Sequence, residues 1–337
     1  MQVPHGLAQP MPPSATPARR TGPAAVSVII PTYNRVQLLK ASIASVAAQT
    51  FADYHIIVVD DGSEDETRQY VASLDLPITY LWQANQGVAE ARNHALRVTH
   101  SEFVAFLDSD DLWEPTFLEE AVARLRAHPD EALVYTDFVS TDLAGRVIRG
   151  HRKRPHDGNV TSQLFESTFI HTSAVVARAH CIRDADGFDR RLTHSEDYDL
   201  WLRLSLRHRF GLIPKPLCLR RCHRASLSRD GCDADSLLRK AHLLEQFYEH
   251  GGGNQRIPEA PARKRLAKVY YTAAKAFLHT GQPDKATTIL RQSMAFQPIR
   301  PRVWFWYLCA RIAQHLRPCP SSPPSWGGHR PPPPIRD

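Results

Sequence analysis

Apolar residues in the first 140 positions alternate between two spacings. Val26–Ile30, Ile56–Val59, Ile78–Leu81, Phe103–Leu107 and Leu133–Tyr135 are short continuous runs, several closed by Pro or Asp, as buried strands are. Between them apolar residues return every three or four positions. Leu38, Leu39, Ile43 and Val46 mark a helix over 36–48, a charged helix follows over 64–72 and an alanine-rich one over 87–96, and Phe117, Leu118, Val122 and Leu125 mark a helix over 115–127. This alternation predicts an α/β fold with a mostly parallel central sheet flanked by helices.

The periodicity weakens after 140. Residues 150–163 read as a basic loop near a substrate entrance, 168–177 as strand-like, and 192–206 as containing a helix that starts near Ser195-Glu196-Asp197. Residues 210–213 and 217–219 are two short strands beside Pro214 and Pro216. From Asp233 the pattern is helical. Leu237, Leu243, Leu244 and Phe247 form one helix stopped by Gly251-Gly252-Gly253, and 262–297 form a pair broken at Gly281 with Pro298 as a stop. The pair has the spacing of one tetratricopeptide-type hairpin, which needs neighbours and so is expected to pack on the preceding domain. The expected organisation is a disordered Pro-rich leader (1–24), an α/β domain (25–232), a small C-terminal helical appendage (233–317) and a disordered Pro-rich tail (318–337).

Composition adds limits. The 42% apolar and 23% charged fractions are those of an ordinary soluble protein, and the 26 prolines gather at the ends. The leader lacks the apolar core of a signal peptide, and Val303–Ala310 is far too short for a membrane span, so a cytoplasmic location is expected. The six cysteines are then free thiols, and Cys218, Cys222 and His223 lack the spacing of a zinc finger or ribbon. The net charge is +7, and basic residues cluster at 151–154, at Arg203, Arg207 and Arg209, at Arg220, Arg221 and Arg224, and at Arg263-Lys264-Arg265. It favours sugar diphosphates or anionic lipid headgroups, with no nucleic-acid module beside it.

The chemistry concentrates where strands end. Asp60 and Asp61 close one apolar run, and Asp108, Asp110 and Asp111 close another. Open α/β sheets bind ligands at the carboxyl ends of their strands. Hard carboxylate oxygens there suit Mg2+ or Mn2+ held together with substrate phosphates, as in an enzyme that uses a nucleotide sugar.

Residues 25–230 resemble the inverting glycosyltransferases of family 2, with the GT-A fold. The likeness rests on ordered motifs: Val-Ser-Val-Ile-Ile-Pro-Thr-Tyr-Asn-Arg at 26–35, Val-Val-Asp-Asp-Gly-Ser at 58–63, Asn85-Gln86-Gly87 with Ala91-Arg92-Asn93, and Asp108-Ser109-Asp110-Asp111. Gly187-Phe188-Asp189, Ser195-Glu196-Asp197-Tyr198-Asp199-Leu200-Trp201 and His223 in Arg-Arg-Cys-His-Arg follow. The resemblance implies that Pro31, Thr32, Asp60, Arg92 and Asp108 contact the nucleotide, and that Asp110 and His223 serve the metal. It further implies that Asp197, with Glu196 its neighbour, is the catalytic base. Trp201, four residues on, is either a wall for the acceptor sugar or a core residue. The Gln-x-x-Arg-Trp element of processive relatives is missing, which favours transfer of single sugars.

The expectation is a metal-dependent glycosyltransferase moving a sugar from a nucleotide sugar, UDP favoured, to a glycan or lipid-linked saccharide. Peripheral contact with the inner membrane face, through a basic run such as 263–265, belongs to the same expectation. A degenerate binding module and a sugar nucleotidyltransferase are the alternatives. The second is disfavoured by Pro31-Thr32-Tyr33-Asn34, which stands where a Gly-rich, lysine-bearing loop would follow the first strand.

Overall fold

A computed structural model describes residues 22–150, 156–223 and 233–315 of the chain. Nearly all of the expected leader, the tail from 318, the basic run 151–154, Arg224, Cys232 and Cys319 lie outside the described residues. Among the described residues nine strands form one sheet: β1 Val26–Thr32, β2 Tyr54–Asp60, β3 Ile78–Trp82, β4 Phe103–Phe106, β5 Leu112–Trp113, β6 Glu131–Thr141, β7 Val147–Gly150, β8 Val175–Arg178 and β9 Arg209–Arg221. Their order is β3-β2-β1-β4-β8-β6-β9-β5, with β7 on β6. The α-helices among the described residues are α1 Val36–Ala47, α2 Thr67–Ala72, α3 Val88–Val98, α4 Phe117–Ala127, α5 Thr161–Glu166, α6 Ala179–Asp184, α7 Glu196–Ser205, α8 Ala234–Glu249, α9 Glu259–His279, α10 Pro283–Phe296 and α11 Pro301–His315.

The sheet separates successive side chains onto two faces, as a period of two requires. Ile29, Ile57 and Val59 join one apolar cluster with α3, α7 and α8, while Val28, Ile30, Ile56 and Val58 join another with α1 and α4. Both faces are covered, so these strands carry no polar alternation. The long ladders, β1 with β2, β2 with β3, and β6 with β9, are parallel. The sheet is nevertheless mixed: β8 is antiparallel to both β4 and β6, and β5 is antiparallel to β9.

Several elements differ in extent from the sequence reading, among them β6, which runs from Glu131 to Thr141 rather than over 133–135 alone. The expected strands 210–213 and 217–219 are one strand, β9, whose register against β6 shifts where Pro216 opposes Asp137. A proline cannot donate to a ladder, and the irregularity absorbs the defect. The strand-like segment 168–177 contains a 3-10 turn, Thr172–Ala174, before β8 begins. The helical pair is α9 with α10, and α11 packs on it as a third helix through Val303 and Ala310.

The C-terminal helices continue the core of the sheet. Leu244, Phe247 and Tyr248 of α8 and Leu266 of α9 share one apolar cluster with Phe165 and Trp201. The basic run 263–265 is correspondingly engaged. Arg263 donates to the carbonyls of Ala295 and Phe296, and Arg265 to the carbonyl of Phe165. Two of its three side chains tie helices together, so it is not the open basic face that its sequence suggests. No helix among the described residues is long and apolar enough to cross a membrane. Cys181, Cys218, Cys222 and Cys309 are free thiols, with Cys218 fully buried.

Candidate active site

The chain runs from β1 outward through β2 to β3, then returns to place β4 on the other side of β1. The crevice at the carboxyl ends of β1 and β4 is therefore a topological switch point, where ligands bind in open α/β sheets. A cavity of about 470 Å³ opens there, within the size range of small-molecule sites. Pro31, Thr32, Arg35 and Asp61 line one side, Arg92 and Asp108 to Asp111 the floor, and His171, Thr172, Ser195, Glu196 and Asp197 the opposite wall. Arg220, Arg221 and Lys240 complete the rim.

The acidic run after β4 divides its work. Asp111 is buried and fully engaged: Oδ2 accepts from His171 Nε2 at 2.7 Å and Ser173 Oγ at 2.6 Å, and Oδ1 accepts from the Arg221 amide at 3.1 Å. It pins the turn before β8 and the end of β9 to the floor. Burial alone would lower the pKa of His171, but the Asp111 carboxylate against it raises it. Asp108 Oδ1 accepts from Arg92 Nη2 at 2.7 Å; burial opposes its charge, yet Arg92 holds its pKa below the ordinary range. Asp110 Oδ2 meets His223 Nε2 at 2.9 Å and Arg35 Nη1 at 3.3 Å. Burial first, and then the charges of Asp111 and Asp108, push its pKa up despite those two partners.

That crowding tests the site for a divalent cation. Carboxylate oxygens of Asp108, Asp110 and Asp111 lie within 4.8 Å of one another. No described residue bonds Asp110 Oδ1 or Asp108 Oδ2, while both oxygens of Asp111 are taken. Two open hard oxygens among mutually repelling carboxylates fit Mg2+ or Mn2+, which use one or two protein carboxylates alongside phosphates and water. Asp111, His171 and Cys218 also approach one another, but Asp111 already accepts three hydrogen bonds, and His171 Nε2 is turned to its Oδ2, so this group is the poorer cation site.

The wall opposite begins at Ser195, a non-glycine residue in the left-handed region with φ of 65°. This turn starts α7 and sends its first two carboxylates apart. Glu196 points inward to Arg92 Nη1 at 2.7 Å. Burial and the charge of Asp197 together push its pKa up to about 7, even with Arg92 beside it. Asp197 faces the cavity, where Oδ2 accepts from the Thr172 hydroxyl at 2.6 Å. Arg92, buried over the Phe188 ring at 5.1 Å, joins Asp108 to Glu196 and so couples floor to wall.

The cavity thus gathers Pro31, Thr32, Arg92, Asp108, Asp110, Glu196 and Asp197, and His223 stands against Asp110. Two residues fall elsewhere. Asp60 lies outside the lining: its carboxylate accepts from the Tyr80 hydroxyl at 2.6 Å and the Ser63 amide at 2.7 Å, and Asp61 lines the cavity instead. Side chains alternate along a strand, so only one of two successive acids can face the crevice. Trp201 is fully buried between Phe106 and Phe188 and is a core residue, which excludes a wall for the acceptor. It shares a face with Asp197, but one turn deeper into the protein. His171, Thr172, Ser173 and Lys240 carry no sequence signal of their own and enter through tertiary contacts alone. Arg35, by contrast, stands at the end of the first motif.

Comparison with known proteins agrees with this geometry. Residues 27–184 match the family described as Glycosyl transferase family 2. An uncharacterized glycosyltransferase of Rickettsia bellii is 30% identical over 198 residues, which are 58% of this chain and 28% of that protein. The UDP-Glc:alpha-D-GlcNAc-diphosphoundecaprenol beta-1,3-glucosyltransferase WfgD of Escherichia coli is 29% identical over 255 residues, covering 73% of this chain and 90% of that one. The chain spans 28–32% of the length of the first three Rickettsia relatives and 58% of two more. Among solved structures, S. aureus TarS 1-349 in complex with UDP superimposes with a TM-score of 0.62 at 20% identity, covering 86% of this chain and 87% of that one. The mannosyltransferase PcManGT from Pyrobaculum calidifontis, in complex with GDP-Man and Mn2+, gives 0.54 at 22% identity over 88% and 87% of the two chains.

Proposed function

The chain belongs to glycosyl transferase family 2 and has the GT-A fold, and on that premise we propose that it transfers single sugars from a nucleotide donor, a UDP-sugar by preference, to an acceptor hydroxyl. The reaction inverts the anomeric carbon, and the acceptor is a glycan or lipid-linked saccharide met on the cytoplasmic side of the membrane. The observation that carries this reading is a single cavity at the switch point with an acidic floor and one further carboxylate, Asp197, facing it from the opposite wall. The name of WfgD, with a UDP-sugar donor and a diphosphoundecaprenol acceptor, supports the donor and acceptor classes.

Each side chain then has a task. Thr32, whose buried hydroxyl has no partner among the described residues, and Asp61 face the nucleotide. Asp110, with Asp108 and His223 alongside, would hold Mg2+ or Mn2+, which when bound offsets the charge growing on the departing diphosphate. Asp197 takes the proton of the acceptor hydroxyl as that oxygen attacks, since a hydroxyl is a poor nucleophile until its proton is removed. Thr172 donates to one Asp197 oxygen and fixes its direction. Arg92 balances the negative charge of Asp108 and Glu196, which leaves Asp197 as the carboxylate free to act. A direct displacement with one base and no covalent intermediate inverts the anomeric centre.

Nucleotide release measured over a panel of UDP-, GDP- and TDP-sugars, with lipid-linked and free saccharide acceptors, tests the proposal. Acceptor-stimulated release from one donor, with an inverted product by NMR, is the expected result. A retained configuration, or release of pyrophosphate from a nucleoside triphosphate when a sugar 1-phosphate is supplied, overturns it.

A further inference from the structure

The exposed large apolar side chains of this protein are unevenly placed. Of the eleven among the described residues, Ile299, Trp304, Phe305, Leu308 and Ile312 lie on α11 or just before it. At about 100° per residue, Trp304, Leu308, Ile312 and Phe305 fall within one arc of about 100° on the helix. Val303 and Ala310, which are buried against α10 and its neighbours, point the opposite way. The arc therefore faces outward, each of its four side chains is about half exposed or more, and no described residue covers it.

Charge is as unevenly placed as apolar surface. From Lys285 to Arg336 the sequence has eight Lys and Arg and no Asp or Glu; Asp337 is the first acid after Asp284. The preceding 284 residues hold 34 basic and 34 acidic side chains, so the whole formal charge of +7 resides in the last 53. On α11 itself Arg311 borders the apolar arc on one side and Arg302 on the other, and neither forms an ion pair among the described residues. Within the bundle, Lys275 lies over the Trp306 ring at 5.1 Å and Arg291 reaches the Tyr307 hydroxyl at 3.3 Å, so cations also support the flank.

From these two asymmetries we infer that the outer face of α11 docks on an anionic lipid bilayer, with the helix lying in the interface plane. A short helix with Trp, Phe, Leu and Ile on one side, arginines at the margins and no acids has the make-up of an interfacial helix. Its arginines can lay their stems on the apolar face and keep their charges at headgroup level. The fifteen described residues of α11 rise about 22 Å, and no helix among the described residues is long and apolar enough to cross a membrane, which favours the in-plane arrangement. A second copy of this chain fits the face poorly, because it would bring two acid-free basic segments together. The inference is independent of donor chemistry. It places attachment on α11 and not on the run 263–265, whose two arginines donate to carbonyls of α10 and α5.

Flotation of the full chain with vesicles tests it. Phosphatidylcholine vesicles are compared with vesicles containing a quarter phosphatidylglycerol, at low and at high salt. The wild type should float with the anionic vesicles at least about tenfold better than with the neutral ones, and high salt should reduce the gain. Phe305→Glu/Leu308→Glu should cut anionic flotation by about tenfold or more. Both side chains are exposed, so nucleotide affinity and melting temperature should stay as in the wild type. Arg302→Gln/Arg311→Gln should lose roughly 10- to 30-fold of the response to phosphatidylglycerol. Equal flotation of wild type and Phe305→Glu/Leu308→Glu overturns the inference, as does a wild type that floats with neither vesicle. A double variant that turns a sedimenting dimer into a monomer without changing flotation assigns the face to a second copy and also overturns it.

Discussion

Glu196 and Asp197 are adjacent in sequence, yet they experience opposite surroundings. The left-handed turn at Ser195 aims Glu196 at buried Arg92 and leaves Asp197 on the cavity wall with Thr172. Asp197→Asn should lower turnover by about 10²- to 10⁴-fold, the scale of a positioned base, with donor affinity close to wild type in titration calorimetry. Glu196 has a different signature. Its pKa is raised to about 7 by burial and by Asp197, so the folded state binds that proton more tightly than the unfolded chain does. The stability this contributes is present below about pH 4.5 and is lost as the pH rises through about 7. Glu196→Gln should flatten the fall in melting temperature across that window, and an unchanged slope would assign the effect to other groups.

At the scale of elements, the placement of α7 depends on the loop before it. Arg203 donates to the carbonyls of Ala185 and Gly187, while Asn93 of α3 both accepts from the Phe188 amide and donates to its carbonyl. Gly187 has φ of 64°, and a Cβ there would lie 2.6 Å from Asn93 Oδ1. Gly187→Ala should therefore cost about 1–3 kcal/mol in urea unfolding, from backbone strain and the displaced amide. Because α3 also carries Arg92, the same change should lower turnover more than it lowers nucleotide affinity. The antiparallel insertion of β8 has a comparable consequence. It sets His171, Thr172 and Ser173 beside the end of β4, where they meet Asp197, Asp111 and the Asp108 amide.

The whole molecule behaves as one packed body among its described residues. Truncation after residue 232 would strip α8 and α9 from Phe165 and Trp201 and remove Lys240 from the cavity rim. Such a fragment should bind a hydrophobic dye and melt without a cooperative transition, where the full chain melts sharply. Chelation is the complementary test of the site. Binding of the preferred nucleotide sugar should weaken by tenfold or more on removal of divalent cations and recover with Mg2+ or Mn2+. Asp110→Asn should abolish most of that recovery, and equal binding after chelation would remove the metal from the account.

Much of this was legible in the chain because two kinds of information are local. Runs such as Val26–Ile30 and Ile56–Val59 declare buried strands by composition, and carboxylates directly after a strand must lie at its carboxyl end. Period and polarity therefore determined the parallel half of the sheet, its covering helices and the acidic floor. Which of two neighbouring carboxylates faces the cavity is not local. Asp60 turned to Tyr80 while Asp61 took the lining, and Trp201 entered the core, because pleat and helix rotation are fixed only once the strands and α7 are packed. His171, Thr172 and Lys240 reached the site from segments 60 or more residues away from Asp111, through an antiparallel strand and a C-terminal helix that periodicity cannot place. Sequence sets which side chains are available and at which element ends they stand, since those depend on neighbours along the chain. Their convergence, and the charge balance it creates around Arg92 and Asp110, depends on long-range packing and belongs to the tertiary structure alone.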